Sequence, residues 1–415
     1  MKRIFILLLF ITVSPIFSCT KNIDSDSGSN SNSNSSSGST YLQSSGTVSE
    51  TGKTYSSSTI DLSAVNVTGG TYTISNSVIS STGNTSSYDN SSFYGLNAVI
   101  LVYASSGTAV INSSGNKITS SGKGANGIFA YGTASATTTG DTFYQTGDGG
   151  HAIMCSGGGT MTVVNDTAVT TGASSSVIAT DRGGGTITVT GGTYTAKGSR
   201  SAALYSTGTI TCNSATLIAA GAEALVIEGS NYIVLNNCTV KCTYNKWGSL
   251  LYKSMSGDAS GTNCHLTMTG GSFTYTGTAG GMFYNTNATG NIALNNVNLV
   301  NSCDTLVRCI KGSWGGDSAT SGGITNLTVT GQTMSGLIYV DVNSSLTLAM
   351  KSSSAFTGKI NPSNIAGSAK MTMDSASTWT LTGTSYLTSL TDDATNYSNI
   401  TVGNYSLYVN GVKIK

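Results

Sequence analysis

Residues 186–230, TITVTGGTYTAKGSRSAALYSTGTITCNSATLIAAGAEALVIEGS, decide the fold. Ile187 and Val189 alternate with threonines and run into Gly191-Gly192. Tyr194 and Ala196 alternate after that turn, a polar corner follows, and a third segment carries Ala203 and Tyr205 before the pattern restarts at Thr209. Period-2 alternation over four to six residues marks strands with one buried face. Three such strands per pass, repeated, is the sequence form of a parallel β-solenoid.

Outward from this stretch the same three columns continue. Third-strand anchors recur every 22 to 32 residues at Ile100, Ile128, Ile153, Ile178, Ala203, Leu225, Leu250, Met282, Leu306 and Leu337. Second strands supply Ile118, Phe143, Ala168, Tyr194, Leu217, Val240, Phe273 and Val297, mostly after turns such as Gly140-Asp141 and Asn236-Asn237. Glycine and asparagine tolerate the positive φ that sharp corners need. No period of 3.6 residues is present, so almost no helix is expected in the body. The fold class is therefore all-β: a parallel β-helix solenoid, three short strands per coil, about 10 or more coils, with a C-terminal β cap, and the resemblance described below implies that it is right-handed. The cap is read from YSLYVNGVKIK at 405–415, two short segments around Asn410-Gly411, a strong hairpin turn. Three stretches lengthen their coils and are expected to leave them as loops: 83–95, 256–262 and 311–323.

Composition narrows the function. Only 9% of the 415 residues are charged and the net charge is +1, which leaves no basic footprint for nucleic acid. Lys2 and Arg3 precede an apolar run over 4–13 that ends at Ile16-Phe17-Ser18-Cys19. This resembles a bacterial lipoprotein leader, which implies lipidation at Cys19. The organisation is thus a signal peptide over 1–19, a Ser/Asn/Gly-rich flexible linker over 20–40, the β-helix over 41–350, and irregular terminal coils with a β-hairpin cap over 351–415. The cysteines beyond Cys19 are odd in number and lack C-x-x-C spacing, which points to buried thiols rather than a zinc site or a full disulfide framework. His151 and His265 have no ligand partner at metal-binding spacing, so no metal and no cofactor are expected.

Three residues beyond the third-strand anchors, one corner column reads Tyr131, Ser156, Asp181, Ser206, Glu228, Lys253, Asn285, with Arg182 adjacent. Acids and a base on one stripe stand out in so uncharged a chain. Asp181 and Glu228, two coils apart, have backbones about 9–10 Å apart at the usual strand spacing, the upper end for an inverting glycosidase pair. A cross-coil Glu228–Lys253 ion pair on a solvated corner accounts for the same residues. Trp247 and Trp314 sit in loops beside lysine and glycine and suit stacking on sugar rings.

The T-G-G-[TS]-[YF]-T turns, Phe93-Tyr94-Gly95, the run 179–184, the run 223–231 and YKSMSGD at 252–258 resemble the pectin-lyase-like superfamily of right-handed β-helices, and more narrowly adhesin-like bacterial surface proteins. The resemblance implies a scaffold that hosts adhesins, lyases and hydrolases alike. A compact aspartate cluster with an Asp-Asp pair, as in the hydrolase branch, is missing: Asp392-Asp393 lies near the C-terminus. The expected function is a non-catalytic, lipid-anchored cell-envelope protein on the outer membrane or cell surface. Its partner would be carbohydrate or another host or cell-surface ligand, contacted through Asp181, Arg182, Glu228, Lys253, Trp247 and Trp314, and it would meet the membrane only through its lipid. A polysaccharide lyase or glycoside hydrolase acting on an acidic glycan is the alternative, and a structural envelope role the third reading.

Overall fold

The computed structural model describes residues 40–313 and 322–415. Cys19, the leader, nearly all of the linker, and Trp314 lie outside the described residues. The rest form a right-handed parallel β-helix of about 14 turns. First strands make a 14-stranded sheet (sheet 1), second strands a 10-stranded sheet (sheet 2), and third strands a 15-stranded sheet (sheet 3). Sheet 2 ends at Asn298–Asn301. Beyond it, second and third strands merge into longer segments such as Thr333–Val340, which bends at Gly336 (φ +120°). A small three-stranded sheet closes the C-terminal end, with Leu407–Val409 antiparallel to Val412–Lys413 around Asn410-Gly411.

One corner explains the glycine and asparagine usage. After each first strand, the residues Asn76, Gly115, Gly140, Asn165, Gly191, Ser214, Asn237, Gly270 and Asn296 all take positive φ, between 48° and 68°. Each coil turns there in the same left-handed step, which an amide side chain or a missing Cβ makes cheap. The next residue carries a second device. Ser77 N donates to Asn116 Oδ1 (2.8 Å), Asn116 N to Asp141 Oδ1 (2.7 Å), and Asp141 N to Asp166 Oδ1 (2.8 Å). Each buried corner N–H thus finds an acceptor on the following coil.

The interior is one thin column of stacked apolar residues, with Tyr72, Tyr194, Tyr275, Phe143, Phe273, Phe356 and Trp379 fully enclosed. The second-strand ladder runs as expected from Ile118 to Phe273 and then takes Leu299 instead of Val297. The third-strand ladder departs from the expected one by a single residue after Ile178. It passes through Leu204, Leu225, Ser249, Phe283, Val307 and Ile338 rather than Ala203, Leu250, Met282, Leu306 and Leu337. A one-residue step exchanges the faces of a strand, so Tyr205, Leu250 and Tyr284 point away from the coil axis. Six of the seven described cysteines are buried, and all seven are free.

Candidate functional site on the outer face of sheet 3

The observed register gives the outer face of sheet 3 two columns. The first reads Leu101, Phe129, Met154, Ala179, Tyr205, Val226, Leu250, Tyr284, Arg308 and Tyr339. Much of this face is apolar, and two insertions cover parts of it. The first insertion folds as a short α-helix, Tyr88–Tyr94, capped by the Ser87 side chain on Asn90 N and ended by Gly95 in the left-handed conformation (φ +74°). Its Phe93 is nearly buried and accepts a hydrogen bond at its carbonyl from Ser156 Oγ (2.6 Å). A Cβ on Gly95 would strike the Phe129 ring and Leu101, so glycine there both ends the helix and lets it lie close to the sheet.

The second column places the acids. Strand end to strand end, Tyr131 meets Ser156, while Glu228 meets Tyr252 and, through it, Thr286. Continuing the register of Ala179–Tyr205 and Ser206–Ile227 puts Asp181 and Glu228 in this column two coils apart, with Thr207 and Thr286 in it rather than Ser206 and Asn285. Lys253 does not belong to it, because Glu228 is paired with Tyr252. The Lys253 Nζ instead donates to the Ala259 carbonyl within its own loop. No Glu228–Lys253 ion pair forms; among the described residues the ion pairs are Lys53–Glu50 and Arg182–Asp258.

Glu228 is also not on a solvated corner. It is 1% exposed, and its Oε2 accepts from Tyr205 Oη (2.7 Å) and Tyr252 Oη (2.8 Å). Its Oε1 accepts from Ser254 Oγ and from Ser256 Oγ (3.3 Å). Four hydroxyl donors on one carboxylate meet its hydrogen-bonding demand without a cation. Two of them come from the 253–262 loop, which therefore closes over the acid.

Arg182 ties the two insertions together. Its guanidinium lies 3.8 Å from the centre of the Phe93 ring and donates to Asp258 Oδ1 (2.7 Å). Asp181 beside it accepts from Arg182 N (2.7 Å). Burial, joined by the negative charges of Asp258 and Glu228, pushes the Asp181 carboxyl up to about 7. Asp181 thus has two other acids near it, Glu228 under the 253–262 loop and Asp258 on that loop.

Trp247 opens the strand Trp247–Tyr252 and is half-buried. It stacks on Tyr284 with ring centres 3.9 Å apart and planes within 11°. Lys246 Nζ and the Arg308 guanidinium stand 5.9 and 6.0 Å from its ring, and Arg308 is 5.0 Å from the Tyr339 ring. No carboxylate pairs with Arg308 among the described residues. Tyr205, Tyr252, Tyr284 and Trp247 belong to one apolar cluster with Val226 and Leu250, so the aromatic patch is continuous with the tyrosines that hold Glu228. Sequence reasoning missed Tyr205, Tyr252, Tyr284, Asp258 and Arg308. The signal lay in the register, since Tyr205 reads as a core residue until the ladder is moved by one.

A separate surface hollow, lined by Gly271, Asn296, Val297, Asn298, Leu299, Gly331 and Thr333, has no titratable side chain and lies where sheet 2 ends. Among the described residues no group of three or more His, Cys, Asp or Glu could hold a metal ion, and no helix is long and apolar enough to cross a membrane. No family model matches the chain, and neither does any of the curated proteins or solved structures compared with it.

Proposed function

We propose that the protein is a lipid-anchored surface adhesin or polysaccharide-binding module of the pectin-lyase-like, adhesin-like kind, and that it holds a glycan non-covalently along the outer face of sheet 3. The observation that carries this reading is the half-buried Trp247 stacked on Tyr284 beside Arg308 and Lys246. Flat rings next to hydrogen-bond donors match the apolar faces and polar rims of sugar rings. Repetition along the coil adds weak contacts that multiply across a polymer. Glu228 supports binding over catalysis: a carboxylate engaged by four hydroxyls is a fixed acceptor, poorly placed to exchange protons with a substrate.

A second reading, a glycoside hydrolase or lyase, is favoured by Asp181, whose carboxyl is pushed up to about 7 by burial and by the neighbouring Asp258 and Glu228. Incubating the full chain with neutral and acidic polysaccharides and following polymer size separates the two. Co-elution without shortening supports binding. Shortening that is lost in Asp181→Asn supports catalysis and overturns the non-catalytic reading. The anchor is tested by fatty-acid labelling, which Cys19→Ser is expected to abolish.

A further inference from the structure

The corner ladder between sheets 1 and 2 changes its chemistry along the coil, and the change is informative. At Asn116 the side-chain amide uses both ends. Its Oδ1 accepts from Ser77 N of the preceding coil, and its Nδ2 donates to Ile74 O (3.0 Å) and Ser113 Oγ (2.9 Å). On the next two coils the same position is Asp141 and then Asp166. Their Oδ1 atoms repeat the Asn116 contact, accepting from Asn116 N and Asp141 N. Their Oδ2 atoms are sealed from solvent and have no hydrogen-bond partner, and the Thr138 and Tyr194 hydroxyls are likewise buried and unpartnered.

Register shows what Oδ2 faces. Ile74 pairs with Ser113, and Ser113 pairs with Thr138. The carbonyl that Ile74 offers to Asn116 Nδ2 is therefore offered by Ser113 to Asp141 and by Thr138 to Asp166. An amide presents an N–H on that side, whereas a carboxylate presents an oxygen lone pair against a carbonyl lone pair. A carboxyl that keeps its proton supplies a hydrogen on that side; the nearby Ser113 and Thr138 hydroxyls favour the ionised form, and burial outweighs them.

We infer that at mildly acidic pH Asp141 and Asp166 are neutral carboxylic acids in the folded protein, each a hydrogen-bond donor standing in for the amide of Asn116, and that their ionisation as pH rises is a weak point of the coil. The two acids are 1% and 0% exposed and occupy adjacent coils, so ionising both would bury two like charges about 4.8 Å apart. The titratable groups facing them are each other and Tyr194, with the Ser113, Thr138 and Asn116 side chains as the neutral neighbours. Among the described residues no basic group is a leading influence on either carboxyl. Burial raises Asp141 to about 6 and Asp166 to about 7. Because both folded values lie above the unfolded one, the folded state holds extra protons between about pH 4 and pH 7, and stability falls as pH rises through that window.

The test is thermal unfolding of the full chain at pH 5 and pH 8.5, for the wild type, Asp141→Asn, Asp166→Asn and the double variant. The wild-type midpoint is expected to drop on going to pH 8.5. The double variant should lose most of that drop and unfold at a higher temperature than the wild type at pH 8.5, while staying close to it at pH 5. A wild-type midpoint that does not change with pH, or asparagine variants less stable than wild type at pH 8.5, overturns the inference. It is overturned equally if added CaCl2 stabilises the wild type but not the variants at pH 8.5, since a cation rather than a proton would then neutralise the pair. If a variant fails to fold, infrared spectra of the wild type decide. A protonated-carboxyl band present at pH 5 and lost by pH 8.5 is expected from buried acids, and its absence at pH 5 contradicts them.

Discussion

At Glu228 two tyrosine and two serine hydroxyls converge on one enclosed carboxylate, and removing it takes away the acceptor that all four share. Unsatisfied buried donors cost more than the bonds themselves are worth. Glu228→Ala is expected to destabilise the protein by about 2–4 kcal/mol in chemical denaturation, while Glu228→Gln, which keeps an acceptor, costs about 1 kcal/mol. Asp181 makes a different prediction. Part of what holds its carboxyl near 7 is the charge of Asp258, with Arg182 acting in the opposite sense. Asp258→Asn removes the charge and releases Arg182 from its ion pair, and both changes lower the Asp181 value. Carbon-13 NMR of the aspartate carboxyls should show a titration shifted towards acid pH. An unshifted curve would separate the two acids electrostatically.

Among the elements, the two insertions are joined by Arg182 and the coil beneath them stands without it. An exposed ion pair contributes about 0–1 kcal/mol and a cation–π contact about 0.5–1 kcal/mol. Arg182→Ala is therefore expected to leave the global unfolding midpoint within a few degrees. It should speed amide exchange in 88–94 and 253–260 while the strands of sheet 3 stay protected. Equal acceleration throughout the coil would contradict this division. The strands and corners of the coil were legible in the sequence because each is a local pattern, alternation followed by a residue that accepts positive φ. The pairing of coils across insertions was less so. Ala202-Ala203-Leu204 lets either Ala203 or Leu204 face inward, and hydrophobicity alone does not choose. That ambiguity hid Tyr205, and a separate one between Ser249 and Leu250 displaced Lys253 from the acid column. Asp258 was hidden for another reason: its partner Arg182 is 76 residues away in the chain, and only the folded loop brings them together.

At the scale of the whole coil, stability comes from a long thin core in which every turn rests on its two neighbours. Its ends are protected differently. At the N-terminal end Glu50 turns inward and accepts from Tyr55 Oη (2.5 Å) and Tyr72 Oη (2.6 Å), with Tyr41 stacked on Tyr72. An inward charge discourages pairing with another sheet edge. At the C-terminal end Trp379 is fully enclosed and donates from Nε1 to Gly358 O (3.1 Å) beneath the capping sheet. Trp379→Ala is expected to cost about 3–5 kcal/mol, with the terminal coils beyond residue 355 losing protection first in amide exchange. Uniform loss along the chain would show that the coils do not unfold from their ends.

Glycan binding by the aromatic face of sheet 3 is tested most directly by affinity electrophoresis of the full chain in gels containing a panel of neutral and acidic polysaccharides. The wild type is compared with Trp247→Ala, and with Asp258→Asn as a control away from the stacked rings. Retardation by at least one polymer, reduced several-fold in Trp247→Ala and retained in Asp258→Asn, is the predicted result. A wild type that migrates unretarded through every polymer, or a Trp247→Ala protein retarded as strongly as the wild type, would contradict it.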